Sequence, residues 1–143
     1  MTDQVYARML IRIKTNEGLR LHPYLDTAGV LSIGYGRNLT DGGISQQEAA
    51  DLLTHDLEEA ESDLGRAWPW VTSLDDVRLG VLIEMAFNMG MPRFSGFVKF
   101  TAAMQAHDYG RAAQEMLNSD WAHQVGQRAQ RLSAIMLSGK DGS

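Results

Sequence analysis

The chain has 143 residues, no cysteine, 44% hydrophobic and 22% charged residues, and a formal net charge of −5. Such a length and composition fit one folded domain with a real hydrophobic core and put the disordered and membrane classes at a disadvantage. The lack of cysteine excludes a disulfide, a thiolate nucleophile and a cysteine metal cage, and the acidic balance argues against a nucleic-acid partner, whose phosphates need a basic face.

The N-terminus, MTDQVYARMLIRIK, is broken by Asp3, Arg8, Arg12 and Lys14. It offers no apolar stretch of the kind a signal peptide or a membrane anchor requires. From Gln4 to Glu17, Val5, Met9 and Ile13, with Tyr6 and Leu10 beside them, recur at helical spacing. Gly18 supplies a stop. Glu17 then falls in the last helical turn, where the negative end of the macrodipole disfavours a carboxylate. Stability does not explain that placement.

Beyond Gly18 the pattern changes. Pro23 excludes a continuing helix, and Val30 to Gly36 is rich in residues that suit a strand. Asp26-Thr27-Ala28-Gly29 between them predicts a turn, so a hairpin or small sheet is expected over about Leu21 to Leu39. Strand alternation places Val30, Ser32, Gly34 and Gly36 on one face, with small neighbours beside the Ser32 hydroxyl.

Asn38 to Gly43 is a loop, and Ser45-Gln46-Gln47-Glu48 is a capping box opening a long helix. Its apolar stripe is Ala49, Leu52, Leu53, Leu57, Ala60, Leu64 and Ala67. Seven acidic residues against Arg66 alone occupy Gln46 to Ala67, leaving 12 basic and 11 acidic residues elsewhere. The net acidity therefore belongs to one solvated helix face. At about 22 residues this helix spans roughly 33 Å, a natural connector between two lobes.

Trp68-Pro69-Trp70 ends the helix, and Ser73 to Asp76 gives a second capping signal. Val77 to Met89 is apolar on almost every side and predicts a buried central helix closed by Gly90 and Pro92. Phe94–Ala106, Asp108–Leu117, a short piece at Trp121 and Gly126–Leu137 read as further helices, with Asp108 and Asp120 as caps and Gly139 as the last stop. The fold class is α+β, a small N-terminal sheet followed by a helical lobe.

Glycosidic hydrolysis needs an acid on the leaving oxygen and a second carboxylate on the other side of the sugar. Glu17, among apolar residues at a helix end, and Asp26, at a polar turn, sit in the two different environments such a division of roles requires. The four histidines, His22, His55, His107 and His123, form neither HExxH nor an i,i+4 pair, so no metal site is expected. Eight methionines read as adaptable core.

The pattern Glu17-Gly18, Tyr24-x-Asp26-x-x-Gly29 and Ser32-Ile33-Gly34-Tyr35-Gly36 resembles the catalytic signature of the phage-type lysozymes and related endolysins. Ala86-Phe87-Asn88-Met89-Gly90 and Gly126-Gln127-Arg128-x-x-Arg131 resemble two further motifs of that family, so the likeness covers essentially the whole chain. It implies a single lysozyme domain over residues 1–143, with a β-rich lobe at 16–60 and a helical lobe from 1–15 plus 61–143 around a cleft. It implies Glu17 as general acid, Asp26 as base or stabiliser, and Ser32 as the hydroxyl positioning water, where threonine is frequent. Asn38, Phe87 and Asn88 would line the cleft, although each also has a bland reading as turn former, core residue and helix-end polar residue. Arg128 would be the ion-pair partner of Glu17.

The implied activity is that of a muramidase acting on the β-1,4 link between N-acetylmuramic acid and N-acetylglucosamine, with inversion and without cofactor. A lytic transglycosylase and an inactive peptidoglycan-binding domain are the alternatives. The expected enzyme is a monomer held in the host cytoplasm, dependent on a holin-like permeabiliser to reach its substrate and not itself inserted in the membrane. Three features depart from the family pattern: Arg37 stands where histidine is frequent, Glu84 interrupts an apolar helix, and the chain is acidic where several members are basic.

Overall fold

In the computed structural model, which describes residues 1–142, the chain forms an α+β fold of eight α-helices and a three-stranded sheet. The elements are α1 (Asp3–Glu17), β1 (Arg20–Leu25), β2 (Leu31–Gly34), β3 (Arg37–Asn38), α2 (Gln46–Ala67), α3 (Asp76–Met89), α4 (Met91–Phe94), α5 (Val98–Gln105), α6 (Tyr109–Leu117), α7 (Asp120–Val125) and α8 (Gln127–Ser138). A 3₁₀ turn, Pro69–Ser73, separates α2 from α3. None of the helices among the described residues is long and apolar enough to cross a membrane. The backbone clusters into two compact units, Met1–Asp51 and Leu52–Ser143, with the boundary inside α2.

In the first unit α1 is capped by Thr2, whose hydroxyl accepts from the Val5 amide at 3.3 Å, and closes at Gly18, whose amide donates to the Lys14 carbonyl at 3.1 Å. The sheet is antiparallel in the order β1-β2-β3. Tyr24 faces Ser32 and Leu25 faces Leu31, but the register slips between Arg20 and Tyr24, across the segment holding Pro23, which has no N–H to give the ladder. β2 stops at Gly34 rather than running on to Gly36. Gly34 and Gly36 take φ of 70° and 81°, a region closed to an extended strand, so residues 34–36 form a tight turn into β3. The alternation expected over Val30–Gly36 therefore holds only as far as β2.

The capping box forms as the sequence indicates. The Glu48 amide donates to Ser45 Oγ at 3.1 Å and the Ser45 amide donates to Glu48 Oε1 at 3.0 Å. Both orphan donors are satisfied reciprocally. The apolar stripe of α2 is only partly buried: Ala60 and Leu64 are buried, whereas Leu52 and Leu53 are about half exposed.

The second unit holds the hydrophobic core. Leu64, Leu82, Met85, Phe94, Phe100, Met104, Met116, Trp121 and Met136 are fully buried. Four of the eight methionines lie in this set, as gap-filling core residues would. Phe94 packs edge-on to Trp68 at 4.8 Å between centroids and to Phe97 at 5.5 Å. The helix expected over Phe94–Ala106 divides into α4 and α5, and Pro92 opens α4 near its N-terminus rather than merely ending α3, where its missing N–H is not needed. Asp108 caps α6, accepting from the Arg111 amide at 3.1 Å. The cap of α7 is Ser119, one residue ahead of Asp120, with its hydroxyl accepting from the Ala122 amide at 3.2 Å.

Candidate active site

Glu17 is the last residue of α1. Its carboxylate lies against the 34–36 turn so closely that a Cβ built on Gly36 would stand 2.9 Å from Oε2. One helical turn earlier, the Lys14 ammonium sits over the Tyr35 ring at 5.5 Å from its centroid. Lys14 and Glu17, three residues apart, share one side of α1 and meet successive residues of the turn.

Asp26 opens the β1–β2 connection and is held by its own loop. Its Oδ1 accepts from the amides of Ala28 at 2.9 Å and Val30 at 2.8 Å, while its amide donates to the Val30 carbonyl at 2.9 Å. This Asx-type closure fixes the carboxylate's direction through backbone groups. Ser32, at the centre of β2, is the one buried residue of the first unit, 4% exposed, and is flanked in register by Tyr24 on β1 and Asn38 on β3. The space expected around its hydroxyl is thus covered. Asn38 is placed beside Ser32, but its side chain is engaged elsewhere: Nδ2 donates to Asp41 Oδ2 at 2.8 Å and Oδ1 accepts from the Asp41 amide at 3.0 Å. Its observed contacts are those of a turn former.

Arg37, the residue standing where histidine is frequent, forms a two-pronged pair with Glu48. Nη1 donates to Oε1 at 2.9 Å and Nη2 lies 2.8 Å from Oε2. The bidentate geometry matches guanidinium to carboxylate. It also joins β3 to the first turn of α2, through the same glutamate that closes the capping box. The Arg37 guanidinium, with the Ser45 amide and hydroxyl, holds the Glu48 carboxyl down at about 2.

In the second unit, α3 buries Val81, Leu82, Met85 and Ala86 but leaves Glu84, Phe87 and Asn88 exposed, so it is not buried on every side. Positions 84, 87 and 88 lie on one helical face. Glu84, whose charge the sequence left unaccounted for, pairs with Arg128 at 3.7 Å. Phe87 is 41% exposed, hence not core, and lines a recess of about 290 Å³ with Asp56, Glu59, Asp63 and Met91 among its walls. Asn88 Oδ1 accepts from the indole N–H of the buried Trp121 at 2.8 Å. Asn88 is thereby an anchor for the core, a role invisible at sequence level because its partner is 33 residues away. Gly36 was legible in the sequence only as a motif glycine, and its closeness to Glu17 is a tertiary fact.

The phage lysozyme family pattern matches residues 14–135. Among individual proteins, the chain is 29% identical to the pre-baseplate central spike protein Gp5 of Enterobacteria phage T4 over 96% of its own length, though it spans only 29% of that larger protein. It is 28% identical to probable T4-type lysozyme 1 of Dictyostelium discoideum, covering 89% of this chain and 92% of the relative. It is 30% identical to an endolysin of Acyrthosiphon pisum secondary endosymbiont phage 1, covering 83% and 82%. The matched span contains Glu17, Asp26, Ser32, Asn38, Phe87, Asn88 and Arg128, and with the α+β architecture it identifies the chain as a member of the phage lysozyme family.

Proposed function

We propose that this chain is a peptidoglycan hydrolase of the lysozyme type, a muramidase cleaving the β-1,4 bond between N-acetylmuramic acid and N-acetylglucosamine. The observation that carries the reading is the family match over residues 14–135, within which a carboxylate ends the first helix and a second carboxylate opens the hairpin that follows. Glu17 delivers a proton to the departing glycosidic oxygen as the C–O bond breaks. Asp26 accepts a proton from the water whose oxygen bonds to the anomeric carbon, and the Ser32 hydroxyl orients that water. Neither step needs a metal or an organic cofactor.

Under this reading the product inverts at the anomeric carbon. Phe87, exposed on α3, contributes to glycan binding; Asn38 and Asn88 would do so alongside their contacts to Asp41 and Trp121, and Arg128, whose observed partner is Glu84, would support the acid. The enzyme acts as a monomer, waiting in the host cytoplasm until a holin-like permeabiliser admits it to the wall. Endolysins among the relatives support a cell-wall substrate.

The test is release of reducing ends from purified peptidoglycan by wild type and Glu17→Gln. Glu17→Gln is expected to fall by about 10²–10⁴-fold with its thermal midpoint unchanged, because the Glu17 side chain is exposed. Equal clearing by the two proteins would defeat the assignment. Proton NMR of fresh product reports the anomer, and a product lighter by one water would identify a transglycosylase instead. Binding to peptidoglycan without any reducing-end release would identify an inactive domain.

A further inference from the structure

The catalytic role proposed for Glu17 requires its carboxylate to be held at one place, yet α1 buries none of its residues, so core packing does not fix its end. Two contacts do bear on it. The Lys14 ammonium lies 5.5 Å over the Tyr35 ring, and Glu17 Oε2 lies where a side chain on Gly36 would intrude, 2.9 Å from the ideal Cβ position. Gly34, two residues away, shows the same kind of backbone, φ 70° against 81°, but a Cβ there would meet nothing within 4 Å. Positive φ alone therefore accounts for glycine at 34. At 36 glycine is required twice, by the backbone and by the carboxylate above it.

Resting on the reading of Glu17 as the acid, we propose that the Tyr35-Gly36 turn is the seat of that acid. Tyr35 holds the last turn of α1 through Lys14, and Gly36 leaves room for the carboxylate to lie against the backbone. Both are positioning residues that act through Glu17. Displacing a reacting group by about 1 Å is enough to lower a rate by about 10²-fold, and a methyl at 36 must displace this one, since the carboxylate is the movable partner.

The experiment compares Gly34→Ala, Gly36→Ala and Tyr35→Leu, each alone and in a Glu17→Asp background. The readouts are thermal midpoint, kcat, KM and the 13C resonance of the Glu17 carboxyl carbon. The two glycine variants should lose similar thermal stability, because each forces an L side chain into the left-handed region. Gly34→Ala should keep kcat within about 2-fold, whereas Gly36→Ala should lose about 10²-fold in kcat with KM little changed. The Glu17 carboxyl resonance should move in Gly36→Ala and stay in Gly34→Ala. In the Glu17→Asp background Gly36→Ala should have little further effect on kcat, because the shorter side chain withdraws the carboxylate from the methyl.

Tyr35→Leu changes no left-handed residue. It should lower kcat several-fold, which keeps the inference testable should Gly36→Ala fail to fold. Equal kcat losses in Gly34→Ala and Gly36→Ala, an unmoved Glu17 resonance in Gly36→Ala, or wild-type kcat in Tyr35→Leu would each overturn the inference. Failure of the underlying reading is separate and visible first, as full activity in Glu17→Gln.

Discussion

Arg78 is the side chain whose removal should cost the second unit most for its size. Its Nε donates to the Met136 carbonyl at 2.7 Å and its Nη2 to the Leu137 carbonyl at 3.1 Å, satisfying orphan acceptors at the end of α8. Its Nη1 meets Asp75 Oδ1 at 3.2 Å, and the guanidinium lies 3.8 Å over the Tyr109 ring. One side chain thus ties α3 to α6 and α8 while being only 15% exposed. Hydrogen bonds to a charged donor contribute about 1.5–3 kcal/mol each, and a largely desolvated cation–π contact about 1–2 kcal/mol. Water re-solvates part of the freed α8 terminus, so the net expectation for Arg78→Met, which keeps the apolar stem, is a loss of about 3–4 kcal/mol. Urea denaturation followed by far-UV circular dichroism should show a lower midpoint with an unchanged m value. Arg78→Lys should recover under half of the loss, because an ammonium is a point donor that does not span two carbonyls and stack on a ring at once. A loss below about 1 kcal/mol for Arg78→Met would put these contacts in the class of surface pairs and refute the reasoning.

Two further predictions concern residues that the fold holds in place. Glu48 has its carboxyl lowered from 4.5 to about 2, first by Arg37 and then by Ser45; a group depressed on folding stabilises above its unfolded value and loses that contribution as pH falls through the folded one. The stability gap between wild type and Arg37→Ala should therefore be full at pH 7 and shrink between about pH 4.5 and 2, as read by thermal melts across that range; a gap independent of pH would contradict it. Asn88→Ala should destabilise by about 1–3 kcal/mol, because the buried Trp121 indole N–H loses its acceptor, with a change in tryptophan emission; an unaffected melt would show the indole re-paired.

Much of this arrangement was legible because local chemistry dictates it. Ser45 and Glu48 announce their reciprocal cap in four residues, Gly18 and Gly139 end α1 and α8 where the apolar periodicity stops, and Asp26 begins a turn whose closure needs only its own loop. What escaped were pairings set by tertiary distance. An arginine partner for Glu84 is foreseeable from its charge, but only the fold selects Arg128 of α8, and Asn88 reads as a helix-end polar residue although the Trp121 indole, 33 residues away, donates to it. The break between α4 and α5 escaped for another reason. Phe94–Ala106 reads as one helix, but Phe94, Phe97 and Phe100 pack together across a turn at residues 95–97.

The two units differ in what holds them, and the difference bears on the candidate site. Leu52–Ser143 is built on a conventional core of fully buried aromatics, leucines and methionines, whereas in Met1–Asp51 only Ser32 is buried. The precision of the first unit must then come from directional contacts: the Asx closure of Asp26, the Asn38–Asp41 pair, the Arg37–Glu48 fork, and Lys14 with Glu17 on the Tyr35-Gly36 turn. The hydrogen bonds among these fix orientation to within their angular tolerance, the Lys14 and Glu17 contacts restrict it by cation–π contact and steric fit, and each contributes only modest free energy. Substitutions among them should therefore disturb geometry before they disturb folding, as expected where a carboxylate such as that of Asp26 is aimed by backbone amides rather than by packing.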